Sequence, residues 1–166
     1  MNRSSHVWLA NISLLIALML MLTPLPYWAH VCRPEWVTLT LLFWCMLAPN
    51  EIGLGLAFIY GLIVDVALGT LLGQHALGIL IACYLMLRYH HIIRAYPLLQ
   101  QGLIVGVILL IKQLVLLWIY GITNRAPGSL WVYFLPSFFG GLLWPWLFTI
   151  LLDTQRRFGP RQSVSL

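Results

Sequence analysis

Residues 52–72 read IGLGLAFIYGLIVDVALGTLL, with Asp65 the one charged side chain in the run. Roughly 20 helical residues cross a hydrocarbon core of about 30 Å, so this stretch has the length and chemistry of a membrane helix. Comparable apolar stretches lie at about 7–26, 34–50, 76–94, 100–121 and 131–152. The breaks between them carry turn and helix-stop residues: Pro24 and Pro26, Pro49-Asn50, Gly73, Pro97, and Asn124 to Gly128. The spacing therefore predicts an all-α, polytopic membrane bundle of six transmembrane helices, a single integral domain over 1–166.

Composition agrees. Of 166 residues, 61% are hydrophobic and 8% charged, with a mean hydropathy of +0.92. Ordinary soluble domains carry roughly 25% charged residues. A small core cannot shield so much apolar surface, which excludes a water-soluble monomer and a disordered tail. The net charge of +5 comes from scattered basic residues, so nucleic acid is not an expected partner. The bilayer is. Cys45 and Cys83 fall in apolar stretches and Cys32 near a surface, which is no disulfide framework. The first stretch has a single Arg3 before it and lacks a small-residue cleavage site, so it reads as a retained helix. On alternating ends, Arg3, Arg88, Arg94, Arg156, Arg157 and Arg161 oppose Arg33 and Arg125. The positive-inside rule then places both termini in the cytoplasm.

Polar groups within the apolar runs are the candidates for function. Asp65 sits in a row of small residues at four-residue spacing: Gly53, Ala57, Gly61, Gly69 and Gly73. Such a row suits a helix crossing at close range, so Gly61 and Gly69 are expected to line a docking seam. Lys112 lies mid-span at a depth like that of Asp65, and an intramembrane Lys112–Asp65 pair is expected, with Gln113 nearby and Arg33 another cation within reach of Asp65. Arg33-Pro34-Glu35-Trp36 reads as a helix start with an interfacial anchor. Pro145 in Leu143-Trp144-Pro145-Trp146 removes a donor to Gly141 and predicts a kink in the last helix.

Catalysis finds few materials. Asp65 and Asp153 are far apart in the bundle, His90 and His91 diverge on a helix, and no metal-ligand spacing or nucleotide-binding glycine pattern is present. No catalytic, cofactor-binding or metal-binding residue is expected. A non-enzymatic protein acting through its membrane faces is the reading, with a vitamin-type transporter binding subunit as the second class and an intramembrane enzyme as the third.

The order of these features resembles the MreD family of rod-shape-determining membrane proteins. The resemblance rests on the basic start, on Arg33-Pro34-Glu35-Trp36, on Gly61-Leu62-Ile63-Val64-Asp65 running to Leu72-Gly73, and on Leu143-Trp144-Pro145-Trp146. It covers about residues 7–158, and Lys112 falls outside the family's pattern. The resemblance implies a non-enzymatic subunit of the bacterial inner membrane, in the elongation machinery that directs lateral peptidoglycan synthesis. The partners it implies are an MreC-like bitopic protein, the MreB filament, and RodA with its transpeptidase. It implies no catalytic residue, and a fold similar to the substrate-binding membrane subunits of energy-coupling-factor vitamin transporters. Arg33, Asp65, Trp144 and Pro145 match its motifs and are expected as structural or contact residues. Either the small-residue seam or the bent last helix would receive the partner's single transmembrane helix, and the small residues also permit self-association.

Overall fold

A computed structural model describes residues 3–23, 34–123 and 129–158, with side chains from residue 7 onward. Among these residues six helices follow in order: α1 (Arg3–Leu22), α2 (Trp36–Leu47), α3 (Leu54–Leu68), α4 (Gln74–Ala95), α5 (Leu98–Ile122) and α6 (Leu130–Phe158). The expected all-helical architecture is present.

Helix lengths differ from the expected spans. Among the described residues three helices, α4, α5 and α6, are long and apolar enough to cross a membrane. The stretch 34–50 forms a helix of 12 residues, about 18 Å long at 1.5 Å per residue, and 52–72 forms one of 15 residues, about 22 Å. Neither alone matches a hydrocarbon core of about 30 Å. The physical reason in α3 is Gly69, whose φ of +63° is a left-handed helix stop that only glycine adopts at no cost.

The short α2 is the hub. Every residue from Val37 to Met46 is buried. A helix apolar on all sides needs protein or lipid around it, and here protein surrounds it: α2 packs against α1, α4 and α6. Trp44 donates from Nε1 to Ser13 Oγ of α1 at 2.8 Å, and Phe43 meets Phe148 of α6 edge to face at 5.4 Å. Tyr60 of α3 donates to Asn11 Oδ1 of α1 at 2.9 Å. The remaining helices follow one another: α3 against α4, α4 against α5, α5 against α6.

The outer faces of the long helices are apolar. Trp118 is 80% exposed and Trp131 89% exposed, at the α5 and α6 ends that adjoin the same connection. Leu99, Leu103, Leu110, Leu114 and Phe138 also point outward. Such surface is stable against lipid and not against water.

Candidate functional sites: a capped helix start, a polar cavity and a lipid-facing groove

Asp65 is fully buried near the end of α3, and the turn that follows wraps its carboxylate. Gly69 reverses the chain and Gly73, at φ +96°, launches α4. The first amides of α4 are thereby aimed at Asp65. Gly73 N donates to Oδ2 at 2.8 Å, His75 N to Oδ1 at 2.7 Å and Ala76 N to Oδ2 at 3.3 Å. The Thr70 hydroxyl donates to Oδ1 at 3.0 Å, and His75 Nδ1 lies 3.0 Å from the same oxygen. Asp65 therefore caps α4, supplying a negative charge and acceptors where a helix start presents free N–H groups and a positive dipole.

The expected Lys112–Asp65 pair is not formed. The Lys112 ammonium, 2% exposed, is in ion-pair contact with Glu35 Oε2 and donates to Thr38 Oγ1 at 3.0 Å. Thr38 in turn donates to Glu35 Oε2 at 2.9 Å. Asp65 needs no lysine because backbone amides satisfy it. Glu35, read from sequence only as a helix starter, is the lysine's counter-charge. The Lys112 stem crosses Gly78 of α4, where an added Cβ would sit 3.0 Å from Lys112 Cγ. Arg33 lies outside the described residues, as does Cys32.

Glu35, Thr38, His75, Lys112 and Gln113 line a cavity of about 400 Å³ at the end of the bundle where α2 and α4 begin. His75 belongs to both polar sets, bonded to Asp65 and facing the cavity. Gln113 is fixed beside it: Ser137 Oγ donates to Oε1 at 2.5 Å, and Tyr133 donates to the Gln113 carbonyl at 3.2 Å.

The small-residue row does not form one open seam. Gly61 is in contact with α4 of the same chain: an added Cβ would lie 2.4 Å from Ala76 Cα. Gly69 and Gly73 serve the turn. The expectation that Gly61 and Gly69 line a docking seam is thus corrected: α4 of the same chain fills the face at Gly61, and Gly69 ends α3 in the turn.

A second close approach has its sequence signal in Gly102-x-x-x-Gly106. A Cβ on Gly102 would lie 2.6 Å from the Gly141 carbonyl oxygen, and one on Gly141 would lie 3.1 Å from Gly106 Cα. Pro145, one turn after Gly141, has no N–H for that carbonyl, and α6 runs helical through both Pro136 and Pro145. Trp144 points inward, fully buried, with Nε1 3.4 Å from Gln101 Oε1, while Trp146 points outward. On the outer side of this contact α5 and α6 leave an apolar groove of about 650 Å³, floored by Gly102, Gly106 and Gly141 and walled by Leu103, Trp131 and Phe138.

Among the described residues no cluster of three His, Cys, Asp or Glu side chains is arranged to hold a metal. Cys45 and Cys83 are buried free thiols.

Comparison with known proteins supplies the remaining finding. No solved structure matches the chain. The model of the family described as rod shape-determining protein MreD matches residues 2–153. A curated relative, the rod shape-determining protein MreD of Haemophilus influenzae, is 33% identical over 142 residues, which is 86% of this chain and 87% of that one. With a family match over nearly its whole length and a relative this similar across both chains, the chain belongs to the MreD family of rod shape-determining proteins.

Proposed function

We propose that this protein is a non-enzymatic subunit of the bacterial inner membrane that supports rod shape by docking other membrane proteins of the elongation machinery, and so regulates lateral peptidoglycan synthesis. The observation that carries this reading is the α5–α6 groove on a chain of the MreD family. Lipid offers no hydrophobic drive for helix association, so helices meet where small residues let backbones approach and side chains interlock. A glycine floor between aromatic and leucine walls is such a surface. Its proposed occupant is the single transmembrane helix of an MreC-like bitopic protein, with RodA and its transpeptidase, and the MreB filament inside, as the wider assembly.

In this reading all six helices lie within the bilayer as one domain, with both termini cytoplasmic. Arg88 and Arg94 near the end of α4, and Arg156 and Arg157 at the end of α6, support that orientation. The short α2 is held inside the bundle, whereas α3 lies at its edge with Ile59 and Val66 turned outward. A vitamin-type transporter subunit is not favoured, since the family match and the relative's name both point to shape determination.

The test is complementation in rod-shaped cells depleted of the native protein. Gly106→Leu and Phe138→Ala target the groove, and Leu15→Ala targets the exposed face of α1. The groove variants should insert in the membrane yet leave cells rounded and lose the bitopic partner on purification. The α1 variant should restore rods. Rods and an intact complex with both groove variants would overturn the docking surface.

A further inference from the structure

We propose that the cavity lined by Glu35, Thr38, His75 and Lys112 is a binding site for an uncharged amphiphile, with a head that both donates and accepts hydrogen bonds, such as a hydroxyl or amide, and a short apolar body. This inference is independent of the groove on the outer flank and concerns binding, not transport.

The size is right. Small-molecule sites run to roughly 300–1,000 Å³, are mostly apolar, and carry a few placed polar groups, often between helices of a bundle. This cavity is about 400 Å³, with Val64, Ile79 and Leu116 among its walls.

Its polar groups are incompletely used. Lys112 has three N–H donors, and Glu35 Oε2 and Thr38 Oγ1 take two of them. Glu35 keeps 20% of its side-chain surface, and its Oε1 has no partner among the described residues. His75 engages Asp65 through Nδ1, which leaves Nε2 without a partner among the described residues on a ring that lines the cavity. One unused donor beside two unused acceptors is the complement of a hydroxyl or an amide.

Charge selects against the alternatives. Glu35 and Lys112 neutralise each other, and Asp65 is balanced by the start of α4. A carboxylate or ammonium head would enter a low-dielectric site as an uncompensated charge. A neutral head avoids that cost. It could come from a membrane lipid or from a soluble metabolite, since both carry such groups.

The experiment uses the full-length protein in nanodiscs. Thermal unfolding is followed against 1-monooctanoylglycerol, octanoate and octylammonium for the native chain and for Leu116→Trp and Val132→Trp, which fill the cavity. Leu116 is buried and Val132 stands at the rim, 45% exposed, so the second variant carries the test where the first does not fold. The expected result is a saturable rise in unfolding temperature with the neutral probe alone, weakened about tenfold or more in apparent affinity by filling, or about 1.4 kcal/mol. A compound released from the native protein and missing from the filled variant distinguishes the sources: partition into organic solvent marks a lipid, into water a metabolite. Equal responses in native and filled proteins, or charged probes that match the neutral one, would overturn the site.

Discussion

Lys112, in the middle of α5, is bonded to Glu35 at the head of α2, 77 residues away in sequence. The pair ties α5 to the helix on which the bundle is built. Removing one partner strands the other, and the two are not equally sheltered. Glu35→Gln leaves a buried ammonium and should cost about 3 kcal/mol or more, whereas Lys112→Met leaves a carboxylate with some water access and should cost less. The double variant should recover much of the loss. Thermal unfolding in detergent of the four proteins checks the order, and a double variant worse than either single one would count against the pair.

Asp65 gives a second prediction. Asp65→Ala withdraws the acceptor from the Gly73, His75 and Ala76 amides. A buried donor left unpaired costs roughly 1–3 kcal/mol. Asp65→Asn keeps one oxygen and should fall between native and alanine. Amide hydrogen exchange should show lost protection at the first turn of α4 and unchanged protection in the middle of α5. Uniform loss across all helices would instead mean that Asp65 acts on the fold as a whole.

The glycines divide by what lies beside them. Gly61→Ala and Gly102→Ala place a methyl against the backbone of a neighbouring helix, which must move, at about 1–3 kcal/mol each. Gly121→Ala meets nothing within 4 Å on a helical turn and should be neutral or stabilising by a few tenths to about 1 kcal/mol. Unfolding midpoints measured side by side decide it, and equal effects at all three positions would contradict the close approaches.

How much of this could be read from the residues follows from the kind of signal each feature leaves. The long apolar runs of α4, α5 and α6 announce themselves, because length and hydropathy are local properties. The run at 34–50 does not disclose that it makes a short hub, since a continuous apolar stretch looks the same whether lipid or protein surrounds it. Gly69 fell on the same four-residue spacing as Gly61, yet one stops a helix and the other packs against Ala76. Glycine serves both roles, and spacing alone does not separate them. Asp65 was recognisable as a costly group needing partners. That those partners are amides 8 to 11 residues on depends on the turn, which sequence spacing does not specify. Lys112 was recognisable in the same way, but its choice of Glu35 over Asp65 depends on how α5 is rotated. The Gly102–Gly106 spacing marks where α5 meets α6 at Gly141, beneath the groove proposed for docking.

Site-specific photo-cross-linking in living cells tests the central claim most directly. A photoreactive residue at Leu103 or Phe138, both in the groove, should capture one membrane protein with a single transmembrane helix, and the same residue at Leu15 or Ile16 on α1 should capture none. Capture from α1 but not from the groove, or only lipid adducts at every position, would contradict the account.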